Sequence, residues 1–392
     1  MVTSTTRTWR PPAARHALLG RSPALDGLRG LALVWVVTYH FTSSHGPFPG
    51  GWVGLDVFFV LSGFLITAML LDEVRTHGRV SLPMFYARRA LRLLPALLVM
   101  LAIWTALLLA FSDTSWFAAT PGGGNSGSQV DVGPALRQVA ITLAYGANWI
   151  YALGSGDAPL AHLWSLAVEE QFYVIWPFVL LLLLKVPAAR RHWPVLALAA
   201  VSAALPFAYY DGGEGVDRIY FGTDTRAVGM LLGAVAALLW HRRRAAGLSS
   251  WHPTARAWAG LAIVLVFLFT VGNTPLKSLA GPAIMALAAM QVVPYLVERP
   301  ASAMARGLAG PVLVWLGQRS YAVYLWHYLF ATWLNPLPSW VSIPVGVSAS
   351  LAAAWLSWRY VEGPAMAYAK RFRPAPISVV ATTLQPDLAQ AA

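Results

Sequence analysis

The chain has no cysteine, which excludes disulfides, thiolate metal ligation and a covalent cysteine thioester. Any group transfer it performs proceeds without a thiol nucleophile. Charge is equally scarce, at 11% of residues against roughly 25% in an average soluble domain. Lysine is nearly missing: Lys185, Lys277 and Lys370 are the only three, so arginine carries most of the net charge of +12. No tandem repeat and no separate soluble region stand out. No two histidines occur at helical i,i+4 spacing and no acid-rich oxygen cage is present, so no metal site is expected. In an apolar chain the basic excess reads as membrane-flanking loops and excludes nucleic acid as the expected partner.

What is abundant is apolar sequence, 57% of 392 residues, with a mean hydropathy of +0.57. Several windows of about 20 residues lack charge, the length a helix needs to cross a hydrocarbon core of about 30 Å. The alternation over about 10 residues that marks a membrane barrel is absent. The expected fold is therefore all-α, a polytopic membrane helical bundle. Candidate spans lie at 25–43, 52–71, 91–111, 165–185, 194–210, 226–241, 256–271, 278–296, 312–332 and 340–358, about ten transmembrane helices. A weaker apolar stretch at 135–152 reads as one re-entrant or interfacial segment. Counting it as a crossing would invert every later loop against the positive-inside rule.

Basic clusters recur in alternate loops: Arg75 and Arg79, then Lys185, Arg190 and Arg191, then Arg242, Arg243 and Arg244. Both termini are accordingly expected in the cytoplasm of a multi-pass cell inner (cytoplasmic) membrane protein. Residues 1–24 read as a disordered cytoplasmic tail ahead of an uncleaved first helix, with no signal peptide. Residues 25–362 form the transmembrane domain, 112–164 with its PGGGNSGS run an extracytoplasmic cap, and 363–392 a cytoplasmic C-terminal tail. The arginine and alanine bias points to a GC-rich, bacterial coding genome.

Ionisable residues inside spans are expensive and mark candidate sites. In Leu25 to Phe41, LDGLRGLALVWVVTYHF, the 11 steps from Arg29 to His40 make three turns plus about 20° at about 100° per residue. The two share a face, and Asp26 falls within about 40° of it. Asp56, in GGWVGLDVFFVLSGFLIT, has Gly63 and Thr67 on its helical face and reads as a partner that orients a His or Arg. In FYARRALRLLP, Arg88, Arg89 and Arg92 sit at i,i+3 and i,i+4 spacing, so two guanidinium forks can converge on a phosphate. For Arg88, ordinary anchoring at the membrane edge is an equal reading.

In HLWSLAVEEQFYVIWP a helix aligns His162, Ser165, Glu169, Tyr173 and Trp176, while Glu170 falls on another face. Glu169 is the preferred inward acid and Glu170 a cap or an arginine partner, although periodicity alone can exchange the two. In GQRSYAVYLWHYLF, Ser320, Tyr324 and His327 share a face at i, i+4 and i+7, either a structural hydrogen-bonded stripe or part of a site. Asp224 with Arg226, and Arg359 with Glu362, read as ion pairs.

With these five stretches in this order, from about Asp26 to Glu362, the chain resembles the acyltransferase 3 family of integral-membrane O-acyltransferases. The resemblance implies transfer of an acyl group, commonly acetyl, from cytoplasmic acyl-CoA to a hydroxyl of a glycan, glycolipid, peptidoglycan or glycosylated metabolite. Acyl-CoA would be a co-substrate, with no cofactor bound permanently. His40 would be the catalytic histidine and Arg29, Arg89 and Arg92, with Arg88 beside them, would serve the donor. Glu169, or else Asp56, would orient the imidazole. His162, Glu170, Tyr173, Ser320, Tyr324 and His327 are left as acceptor-side or supporting groups. Transfer would be direct or through acyl-histidine. Some members carry an appended esterase-like domain; here an accessory transfer step is expected to come from elsewhere or to be unnecessary. The alternative from another class is a transporter or flippase that uses the intramembrane His, Arg and Glu as a proton or anion relay. A non-catalytic sensor or scaffold is the third reading.

Overall fold

A computed structural model describes residues 18–42, 46–111, 132–154, 160–212, 215–248, 253–272 and 275–372. Every regular element among them is helical. In chain order these are α1 (Pro23–Thr42), α2 (Val53–His77), α3 (Leu82–Phe111), α4 (Val132–Leu143), α5 (Ala147–Ala152), α6 (Trp164–Leu183) and α7 (His192–Tyr209). There follow α8 (Val216–Phe221), α9 (Thr223–Ala245), α10 (Thr254–Thr270), α11 (Pro275–Leu279), α12 (Gly281–Glu298) and α13 (Ala303–Leu308). The last are α14 (Pro311–Gln318), α15 (Ser320–Trp333), α16 (Ser339–Ser357) and α17 (Gly363–Ala369).

Among the described residues seven helical segments are long and apolar enough to cross a membrane: 53–77, 82–111, 161–183, 192–209, 216–245, 281–298 and 339–372. The expected count of about ten is not reached, for identifiable reasons. α1 has 20 residues but carries Asp26, Arg29 and His40. α10 is apolar yet only 17 residues long. The stretch expected at 312–332 is two helices, α14 and α15, interrupted at Arg319. The weak segment at 135–152 is the pair of short helices α4 and α5. Residues 363–372, expected in the C-terminal tail, are helical as α17 and a following 3₁₀ turn. The N-terminal tail to residue 17, the PGGGNSGS run and the chain beyond residue 372 lie outside the described residues.

The core is organised around α2, whose side chains are buried on nearly every face from Val53 to Leu71. Its principal partner is α9, and the two approach through glycine. A Cβ at Gly63 would collide with the Met230 carbonyl, and one at Gly233 with the Val60 carbonyl, so the backbones meet where no side chain intervenes. The same device fastens α1 to α14. A Cβ at Gly30 would strike the Leu313 carbonyl, and one at Gly317 the Asp26 carbonyl. α1 is thereby held against the helix that leads into α15, which sets two polar stripes side by side.

Candidate functional site

A cavity of about 130 Å³ opens between α1, α2, α3, α6 and α15. Its polar lining is Arg29 from α1, Ser62 from α2, Arg89 and Arg92 from α3, Ser165, Glu169 and Tyr173 from α6, and Ser320, Tyr321 and Tyr324 from α15. Apolar walls come from α2, including Leu55, Phe58, Leu65 and Met69. Five segments far apart in the sequence supply the site because each offers one polar face at helical spacing and the bundle turns those faces inward.

Three arginines meet at one end. Arg89 pairs with Glu170 at 3.1 Å, and its guanidinium carbon stands 3.3 Å from the centroid of the Tyr173 ring. Glu169 accepts a hydrogen bond from the Ser62 hydroxyl at 2.8 Å. Arg29 and Arg92 also line the cavity, neither forms an ion pair among the described residues, and the buried Arg29 Nε has no hydrogen-bond partner. This end has a surplus of guanidinium forks, a donor set that suits a phosphorylated ligand.

At the opposite end three imidazoles gather. His40 stands about 16 Å along α1 from Arg29 at 1.5 Å per residue, one helical face carrying both. Its Nδ1 is 2.9 Å from His327 Nε2. His327 Nδ1 in turn lies 2.8 Å from the Tyr324 carbonyl and 3.2 Å from that of Val323. His162 stacks on Tyr328 with centroids 4.7 Å apart, and its Nε2 faces the Leu325 carbonyl at 3.3 Å. Between the histidines and the cavity, Tyr324 donates to the His162 carbonyl at 2.6 Å and its hydroxyl lies 2.6 Å from Ser165 Oγ. Tyr324 and Ser165 line the cavity, whereas His40 and His327 are not among its lining residues, and His327 follows Tyr324 by one turn of α15.

Several expected partnerships come out differently. The group hydrogen-bonded to His40 is His327; neither Glu169 nor Asp56 bonds to it among the described residues. Glu169 sits with the arginines, about 10 Å of helical rise beyond His162, which lies in the 3₁₀ turn leading into α6. Asp56 pairs with Arg226 at 2.9 Å, both side chains fully buried, because α9 packs directly on α2. Arg226 is thus not the partner of Asp224, which instead takes both Nη atoms of Arg218 at 2.8 and 2.7 Å. Arg88 faces away from the cavity, paired with Glu73 at 3.0 Å and donating to the Phe372 carbonyl at 2.8 Å. Glu362 accepts from Ser357 at 2.9 Å, while the Arg359 guanidinium lies over the Tyr360 ring.

Sequence reasoning did not single out Ser62, Tyr39, Tyr328 or Lys277. Lys277 Nζ lies 3.3 Å from the Tyr39 hydroxyl and over the Tyr220 ring. Its isolation as one of three lysines was the available signal. Ser62 and Tyr328 offered none, because a serine or tyrosine in an apolar helix is common.

Comparison with known proteins gives concordant matches. The family model Acyl_transf_3, described as an acyltransferase domain, matches residues 22–359. Peptidoglycan O-acetyltransferase OatA of Listeria monocytogenes is 32% identical over 364 residues, 87% of this chain and 55% of that protein. YrhL of Bacillus subtilis, named provisionally as a peptidoglycan O-acetyltransferase, is 33% identical over 365 residues, 87% of this chain and 54% of that protein. The chain spans little more than half the length of these relatives. No solved structure matches it.

Proposed function

Because the chain belongs to the acyltransferase family whose model it matches from residue 22 to residue 359, we propose that it transfers an acyl group, acetyl in the first instance, from cytoplasmic acyl-CoA to a hydroxyl of a cell-surface glycan. Peptidoglycan is the leading acceptor, since that is what the names of the relatives specify. The observation that carries the reading is the two-ended arrangement on α1. Arginines surplus to their acids converge where donor phosphates would bind, and about three turns further along the same face of α1 a histidine has a nitrogen free.

The arginine end is the cytoplasmic end in this reading, consistent with the basic loops that flank it. The cavity between takes the pantetheine arm and brings the thioester toward the Tyr324 and Ser165 hydroxyls. His40 removes the proton of the acceptor hydroxyl as its oxygen attacks the thioester carbonyl. The C–O bond forms, the C–S bond breaks, and the proton passes from His40 to the departing thiolate. The products are the ester and free CoA, and no external oxidant or reductant is needed.

The test uses purified full-length protein in nanodiscs, labelled acetyl-CoA, and a soluble peptidoglycan fragment, reading CoA release and acetyl ester by mass spectrometry. Wild-type protein is expected to acetylate the fragment, and His40→Ala to lose about 100-fold or more of the rate with its melting temperature retained. Wild-type rates in folded His40→Ala protein would overturn the role of His40. Substrate accumulation in vesicles without CoA release would overturn acyl transfer altogether.

A further inference from the structure

The two ring nitrogens of His40 have different surroundings, and the difference can be traced to backbone groups whose roles are fixed. A carbonyl oxygen only accepts hydrogen bonds. His327 Nδ1 faces two of them, Tyr324 O and Val323 O, so Nδ1 carries the hydrogen. A neutral imidazole has one N–H, which leaves His327 Nε2 as a lone pair. His40 Nδ1 lies 2.9 Å from that lone pair. Two lone pairs do not bond, so His40 Nδ1 carries its hydrogen as well. The remaining nitrogen, His40 Nε2, is then bare, and it has no hydrogen-bond partner among the described residues.

We propose that His327 is a positioning residue that fixes His40 in its Nδ1–H tautomer and leaves Nε2 as the base presented to the acceptor hydroxyl. The inference rests on the reading of His40 as the base. His327 occupies the place that a carboxylate holds in a hydrolase triad, where the third group sets the tautomer and the ring direction. A neutral imidazole fills it here, and its own orientation is anchored by main-chain carbonyls one turn back on α15. His327 is fully buried. The rings around the pair restrict rotation further: Tyr328 stands edge-on to His40 at 5.1 Å and Tyr39 at 6.0 Å, and Tyr324 lies 5.3 Å from His327.

The chemistry balances with this arrangement. When Nε2 takes the hydroxyl proton, His40 becomes an imidazolium whose Nδ1–H still donates to His327. The pair needs to release no proton until the leaving thiolate collects the one on Nε2. The same geometry explains why His40 needs no acid beside it: Glu169 is held by Ser62 and Asp56 by Arg226.

Two substitutions separate this role from mere packing. His327→Gln puts an amide oxygen near the position of Nε2 and keeps an acceptor for His40. His327→Phe keeps the bulk and removes the acceptor. With acetyl-CoA and the peptidoglycan fragment, His327→Phe is expected to lower kcat about 100-fold with the KM for acetyl-CoA unchanged. His327→Gln is expected to stay within about tenfold of wild type. Wild-type kcat in His327→Phe, or equal losses in the two variants, overturns the positioning role. Proton-detected ¹⁵N spectra of histidine-labelled wild-type protein read the tautomers without any variant. Nδ1–H signals for both His40 and His327 support the assignment, and an Nε2–H signal for His40 overturns it. His40→Ala is run alongside. If it retains transfer, the base reading falls and takes this inference with it; if it is inactive while His327→Phe is fully active, only the role of His327 falls.

Discussion

Arg226 Nη2 stands 2.9 Å from Asp56 Oδ1, with side-chain exposures of 1% and 2%. The guanidinium is boxed by the rings of Phe59, Trp164 and Tyr220, 5.1 to 5.6 Å from its central carbon. A charge this deeply buried is tolerable only while its partner is present. The pair therefore joins α2 to α9 at the heart of the bundle, and Asp56 acts as a structural counter-ion.

Removing one partner should cost far more than removing both. Asp56→Ala is expected to destabilise the protein by about 3–5 kcal/mol, seen as a marked drop in melting temperature in detergent. Asp56→Leu combined with Arg226→Met should melt closer to wild type than Asp56→Ala does. Equal melting of Asp56→Ala and wild type would show that the pair contributes nothing.

The arginines at the other end should separate by their partners. Arg29→Gln and Arg92→Gln each remove a cavity guanidinium that has no acid partner among the described residues, so each should raise the KM for acetyl-CoA by roughly 10- to 100-fold, the equivalent of one hydrogen bond to a charged group. The kcat should move less. Lysine at either position should recover only part of the loss, because an ammonium lacks the bidentate fork. Arg88→Gln, whose native side chain is turned toward Glu73, should leave that KM unchanged. Steady-state kinetics with purified variants decides the matter.

Lys277, outside the seven long apolar segments, is held low, at about 8, chiefly by burial and then by the positive charge of Arg226, with Asp56 opposing. An unfolded lysine titrates near about 10.4. Between these values the unfolded chain binds the proton and the native protein does not, so this residue adds stability as pH rises from about 8 to 10. Below about 8 both states carry the proton and its contribution is flat. Lys277→Met should abolish that increment. Melting temperatures of wild type and Lys277→Met at pH 7, 8.5 and 10, compared pairwise, test the sign; identical pH trends would refute it.

Much of the α1 stripe is legible in the sequence because it depends on one helix alone. Given 3.6 residues per turn, Arg29 and His40 must share a face whatever else the chain does. The same local rule separates Glu169 from Glu170 by about 100°, and places Ser320, Tyr324 and His327 in one row. It says nothing about which helix each row will meet. Periodicity also misses breaks: it registers apolar content across 312–332 but not the interruption at Arg319 that divides the stretch into α14 and α15.

Composition and helical spacing by themselves determined that this is an all-helical, membrane-type chain with buried arginines, acids and histidines on defined faces. Only the tertiary structure decided the partners. His40 and His327 are 287 positions apart, and Asp56 meets Arg226 because glycines let α2 and α9 approach at backbone distance. Helical periodicity is set by bonds within a few residues. Pairing across helices is set by where buried donors, acceptors and charges can all be satisfied at once, a condition on the whole bundle that no single stretch of the chain contains.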